Sequence, residues 1–152
     1  MVFERYYEDT KVGDECVTPS VTVTDAMIRS YANLSGDHSR IHLDEAFART
    51  TQFGRRIGHG LLGLALTDGL KTQADYAFQP GMSLGWTWDF AGPICIGDVL
   101  HVKFRVGSRR TTSKPGWGIV VLPSELINQD GKVVQRGEHR LMIPRRPEAQ
   151  AN

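Results

Sequence analysis

Cysteine is scarce: Cys16 and Cys95 stand alone in 152 residues, with no Cys-x-x-Cys pair. Neither a zinc site nor a disulfide scaffold is indicated, and both read as small buried hydrophobes. Long apolar runs are missing too. The most apolar stretch, Leu61-Leu62-Gly63-Leu64-Ala65-Leu66, is far short of the ~18 to 20 residues that cross a bilayer, and it reads as a core helix. The opening residues MVFERYYEDTKVGDE are charged and aromatic and lack the apolar core of a secretory signal, so a cytoplasmic protein is expected. Charge of one sign is not in excess either. With 18 Lys and Arg against 17 Asp and Glu, the net charge is +1, which supplies no global field to attract nucleic acid or an anionic membrane.

What is present is the composition of an ordinary globular protein, 40% hydrophobic and 23% charged, with glycine and proline well below the level of low-complexity chains. The length fits one domain over residues 1–152, able to bury about 70% of its unfolded surface. After a strand expected over residues 15–23, Thr24 caps a helix carrying Met27, Ile28, Tyr31, Ala32 and Leu34 at helical spacing, which Gly36 ends. Residues 37–60 are irregular, with a helical turn expected at 44–49. From Leu61 to about Tyr76, Leu62, Leu66, Leu70 and Ala74 recur at i+4, which predicts a buried helix with Asp68, Lys71 and Asp75 at other positions.

Beyond Pro80 the period changes to two. Leu84, Trp86, Trp88 and Phe90 alternate with Gly85, Thr87 and Asp89, and Leu100, Val102, Phe104 and Val106 alternate with His101, Lys103 and Arg105. Two further β-rich runs, 117–127 and 132–143, are joined by Asn128-Gln129-Asp130-Gly131, a hairpin signal. One buried helix followed by long strands predicts an α+β fold, an antiparallel sheet wrapped around a central helix.

Ionisable groups concentrate in Gly36-Asp37-His38-Ser39-Arg40-Ile41-His42-Leu43-Asp44, directly after a helix stop, in irregular chain of the kind that often holds catalytic groups. Asp37 and His42 can meet across a bend and hold a water between them, one group taking its proton. Taken alone, the segment reads more readily as a surface loop with a capping Asp and a solvated His. Downstream, however, Ile57-Gly58-His59-Gly60 opens the buried helix. Free N–H groups and the positive dipole end at a helix start can stabilise an enolate oxygen, the charge that develops when water adds to an α,β-unsaturated thioester.

At this point the chain resembles the MaoC-like hydratases, a hot-dog-fold family that includes (R)-specific enoyl-CoA hydratases. Gly36, Asp37, His42 and Asp44 match the family's Gly-Asp, four residues, His, then Asp pattern, and Gly58-His59-Gly60 matches its helix entry. Weaker likenesses lie in Glu8-Asp9, Val12-Gly13-Asp14, Gly92-Pro93 and Gly97-Asp98. The resemblance implies that Asp37 and His42 activate water and manage the α-carbon proton, with the division between them open, and that the Gly60 N–H faces the thioester oxygen. It implies a homodimer or higher homo-oligomer and an acyl-CoA thioester as substrate; with no His-Glu-x-x-His helix or Cys/His spacing in the chain, and chemistry that needs none, no metal or redox cofactor is expected.

The chain departs from the family pattern at Arg40, where many members have proline, and at Asp68, where many have serine. Both, with His59, are expected near substrate. Arg40 has two readings: a surface pair with Asp44, or a ligand for a second carboxylate on the acyl group. A thioesterase and a non-catalytic acyl-thioester-binding subunit are the alternatives to a hydratase. Lys103, Arg105, Arg109, Arg110 and Lys114 form an acid-free stretch that could meet coenzyme A phosphates or simply be solvated.

Overall fold

The computed structural model describes residues 4–147. The chain enters through β1 (Glu4–Arg5), a 3-10 turn at Tyr7–Asp9, and two short strands, β2 (Glu15–Val17) and β3 (Val21–Thr22). The single strand expected over 15–23 is thus broken around Pro19, which has no N–H to give to a ladder. Both pieces still pair antiparallel with one later strand. Helix α1 (Asp25–Ser35) has the expected ends: the Met27 N–H donates to Thr24 Oγ1 at 3.2 Å, and Gly36 closes the helix at φ 79°, a conformation that favours glycine.

Two short helices follow, α2 (Arg40–Leu43) and α3 (Glu45–Arg49). The second is the expected turn, capped by Asp44, whose carboxylate accepts the Phe47 N–H at 2.9 Å. The first was not anticipated. Helix α4 (Gly60–Thr72) is the buried helix, ending four residues before the expected point. It buries Leu62, Gly63, Thr67 and Leu70, and also Lys71. Sequence spacing had set Lys71 outside the apolar stripe, but it lies four residues after Thr67 and shares that buried face.

The remaining strands are β4 (Ala77–Phe78), β5 (Met82–Phe90), β6 (Val99–Arg105), β7 (Ser108–Thr111), β8 (Trp117–Ile127) and β9 (Val133–Pro144). The main sheet runs β2-β6-β8-β9-β5 with antiparallel neighbours, β3 joining β6 and β7 joining β8. Gly131, at φ 75°, turns the β8–β9 hairpin at the expected Asp-Gly. Leu100, Val102 and Phe104 of β6, Val120, Leu122 and Leu126 of β8, and Val134 and Ile143 of β9 form one core with Leu62 and Leu70 of α4 and Ile28 of α1. Each such side chain contributes about 1.5 to 3 kcal/mol on burial. The sheet therefore wraps α4, the hot-dog arrangement. Cys95 is buried and Cys16 half-buried, and both are free thiols. No helix among the described residues is long and apolar enough to cross a membrane.

Candidate active site

The start of α4 and the irregular chain after α1 meet at one place. Asp37 is held by its neighbour Ser39, whose N–H and hydroxyl donate to Asp37 Oδ1 at 3.1 and 2.5 Å. These bonds, the hydroxyl's above all, favour the carboxylate and lower the Asp37 pKa. Oδ2 stays free to face His42, whose Nε2 lies 3.9 Å away. That is too long for a direct hydrogen bond, yet one water oxygen at ~2.8 Å from each group spans it.

His42 sits on α2, the element that sequence spacing missed. Its Nδ1 lies 2.8 Å from the Ile57 carbonyl, which can only accept, so the proton is on Nδ1 and the Nε2 lone pair points toward Asp37. Burial is the main cause of a His42 pKa below the usual 6.5, and the neighbouring His59 adds to it against the opposing Ile57 bond and Asp37 charge. A neutral imidazole with a free Nε2 is a proton acceptor.

His59, the residue before α4, is 2% exposed. Its Nε2 donates to the Asp37 carbonyl oxygen at 2.9 Å, its ring stacks on His42 at 3.8 Å between centroids, and Tyr31 covers it at 4.8 Å. Expected near substrate, it stands behind the pair instead and holds both in place. Its Nδ1 has no hydrogen-bond partner among the described residues. The ligand atoms of Asp37, His42 and His59 lie within 4.8 Å of one another.

Gly60 opens α4, so its N–H belongs to the first turn, where no intrahelical acceptor exists. A Cβ at this position would stand 2.7 to 3.0 Å from ring atoms of Phe90, so any side chain here requires that ring to move. His42, Gly60, Phe53, Phe90 and Ile94 line a cavity of about 400 Å³, and the open helix end and the imidazole border the same space.

Two further residues brace this space. Arg56 donates through Nε to the His42 carbonyl at 2.6 Å and pairs with Asp25 of α1, tying α2 to α1. Gln135 of β9 donates to the Gly60 carbonyl at 2.9 Å and accepts from Trp88 Nε1 at 2.9 Å. Neither was found from sequence. Arg56 stood in a glycine-punctuated loop beside another arginine, and only the polar position of Gln135 within an apolar strand hinted at a buried bond.

Arg40 and Asp68 are not brought to this place. Arg40 is turned to Asp44 at 3.1 Å and lies over the Phe47 ring at 4.3 Å, which matches the surface reading. Asp68 is exposed and lines a separate cavity. Of the basic stretch, Lys103 pairs with Glu15 at 3.4 Å, and Arg109 donates to the Thr10 carbonyl and covers Tyr7.

Residues 8–121 match the family model described as MaoC like domain. The chain belongs to the MaoC-like family. It is 34% identical over 119 residues to the (R)-specific enoyl-CoA hydratase of Aeromonas caviae, covering 78% of this chain and 85% of the relative. The crystal structure of the MaoC-like dehydratase from Rhodospirillum rubrum superposes with a TM-score of 0.84 at 30% identity, covering 94% of this chain and 99% of that one. A Mycobacterium tuberculosis protein described as a double hotdog fold superposes at 0.79 over 98% of this chain and 47% of its own, at 21% identity, and shows the fold alone. Two curated relatives are longer. The chain spans 33% of Protein MaoC from Klebsiella aerogenes, at 39% identity over 74% of this chain. It spans 63% of the 3-hydroxybutyryl-CoA dehydratase of Methylorubrum extorquens, at 36% identity over 66% of this chain. The hydratase and dehydratase names among these relatives support hydratase chemistry for the family.

Proposed function

We propose that this chain adds water reversibly to a 2-enoyl-CoA thioester to give the (R)-3-hydroxyacyl-CoA. The observation that carries the reading is the 3.9 Å gap between Asp37 Oδ2 and His42 Nε2, bordered by the open start of α4. A water in that gap donates to both groups; as its oxygen bonds to the β-carbon, one of them takes its proton. Negative charge moves through the α-carbon to the thioester oxygen, where the Gly60 N–H receives it. A proton then reaches the α-carbon from the dyad, and the sum is water added across the double bond. The reverse sequence is dehydration.

Each step is within reach of this chain's own groups, so the reading requires neither a metal nor a redox cofactor, and coenzyme A enters as part of the substrate. A cytoplasmic enzyme and a homodimer complete the proposal. Among the described residues, strand β5 pairs with β9 on one side and ends the sheet on the other, with Met82, Leu84 and Phe90 53%, 38% and 57% exposed; pairing two such edges removes an open template. The test is incubation with crotonyl-CoA. Loss of the 2-enoyl chromophore without free thiol supports a hydratase, whereas release of thiol identifies a thioesterase.

A further inference from the structure

At the other end of α4, about 16 Å along the helix axis from Gly60 at 1.5 Å per residue, three polar side chains form a chain that the hydration chemistry does not use. Lys71 is 6% exposed and its Nζ lies 2.9 Å from His139 Nδ1. His139 is 4% exposed, and its Nε2 lies 2.8 Å from Ser83 Oγ. A charged Lys71 can only donate, so His139 Nδ1 accepts, and its proton resides on Nε2, bonded to the Ser83 oxygen. The serine is therefore not activated as a nucleophile. What the chain presents instead is a pair of donors, the two further N–H groups of Lys71, whose position His139 and Ser83 fix from behind.

Lys71 Nζ has no other hydrogen-bond partner among the described residues. Asp68, three residues earlier, is exposed and lies beyond ion-pair distance, although its charge partly offsets the effect of burial on Lys71. The Trp86 and Phe104 rings lie 4.7 and 5.5 Å from Nζ, which helps a cation without neutralising it. Burial drives the Lys71 pKa down to about 7, and burial with the Lys71 charge drives His139 down to about 3. A buried ammonium without a directly bonded anion is costly. Lys71, His139, Phe78, Leu141, Pro80 and Asp68 line a cavity of about 320 Å³.

We propose that this cavity binds the carboxylate of a short apolar acid, with the Lys71 ammonium, held in place by His139, as counter-ion and hydrogen-bond donor. One cation fits one negative charge, and the carboxylates of Asp68 and Glu4, which also line the cavity, oppose a dianion. The walls from Ala77, Phe78 and Leu141 suit a chain of a few carbons. The site does not depend on the hydratase reading. The same chemistry comes from a free carboxylic acid or from the far end of an acyl group that carries a terminal carboxylate.

The probe is hexanoate, titrated into the purified full chain by calorimetry and by tryptophan emission. Trp86 reports directly, since it stacks on His139 at 3.9 Å with 4° between planes. Expected at about pH 6 is saturable one-to-one binding that weakens about tenfold or more in Lys71→Met, and likewise in the wild type at about pH 9, where Lys71 loses its charge. Lys71→Arg should retain part of the affinity. Hexanol at the same two pH values reports any change in the cavity unrelated to charge, and should bind about tenfold more weakly than hexanoate at the lower pH. No saturable binding, equal affinity in Lys71→Met, or equal binding of hexanol overturns the proposal. The coenzyme A thioester of hexanedioic acid separates the two sources. If it displaces hexanoate, the end of an acyl group occupies the cavity; if it does not, the site is one for free acids, and either result upholds the carboxylate site.

Discussion

His59 Nε2 holds the backbone carbonyl of Asp37 at 2.9 Å while the same ring stacks on His42 at 3.8 Å, so one buried imidazole fixes both members of the dyad from behind. Replacing it with phenylalanine keeps a ring against His42 and Tyr31 but removes the bond to Asp37. His59→Phe is expected to lower kcat about tenfold with little change in KM, and to shift the acid limb of the pH profile, because the charge and distance seen by His42 change. A folded variant with an unchanged kcat and pH profile would reduce His59 to packing.

The pH dependence of the wild type follows from the same geometry. Burial lowers the His42 pKa below 6.5 and the Ser39 bonds lower that of Asp37 below 3.8, so at neutrality the imidazole is free to accept a proton and the carboxylate is charged. kcat/KM for crotonyl-CoA is expected to be flat around pH 7 and to fall only as the solution drops below about 6.5, through the free-enzyme His42 pKa. A limb that sets in well above neutrality would contradict a neutral His42 as acceptor.

The Phe90 ring crowds Gly60, its atoms 2.7 to 3.0 Å from where a Cβ would stand. Gly60→Val should lose about 10²- to 10³-fold in turnover, the cost of one oxyanion donor. Gly60→Ala should lose less and regain activity when combined with Phe90→Ala, which vacates the space. If the double variant remains as impaired as Gly60→Ala, the ring is not what excludes a side chain.

Lys71 makes a prediction for stability that needs no ligand. Its pKa falls from 10.5 toward about 7 on folding, so between those values the unfolded chain binds more protons than the folded one. Stability must then rise with pH across that window, being fully present above the unfolded value and lost as pH falls to the folded one. Tm should increase from about pH 7 to about pH 9 in the wild type. Lys71→Met, which keeps the volume and drops the buried charge, should melt higher at neutrality and lose most of that increase. A wild-type Tm that falls over this range would show that Lys71 is not the dominant group.

The legible parts of the fold were those set by local rules. Thr24 and Gly36 bound α1, Asp130-Gly131 turns the hairpin, period-two runs mark β5 and β6, and β-rich runs mark β8 and β9, because caps, turns and strand preference act within a few residues. Asp37, His42 and Gly60 were readable as a group through the family resemblance; the structure brings His42 and Gly60 to one cavity and sets Asp37 3.9 Å from His42. What escaped depends on distant partners. Lys71 and His139 are buried because sheet and helix close over both, a fact that i+4 counting on one helix does not contain. Arg56 and Gln135 act on His42 and Gly60 from 14 and 75 residues away in sequence. Arg40 was drawn off by Asp44, a neighbour only four residues along.

The most direct test of the central claim is a double-mutant cycle on the dyad, read as the initial rate of loss of the 2-enoyl chromophore of crotonyl-CoA. Asp37→Asn and His42→Ala should each reduce the rate about 10²-fold or more in folded protein. Because both act on one water, the double variant should be little worse than the poorer single variant. Near-wild-type turnover in either single variant, or losses that simply multiply in the double, would contradict a shared water between Asp37 and His42.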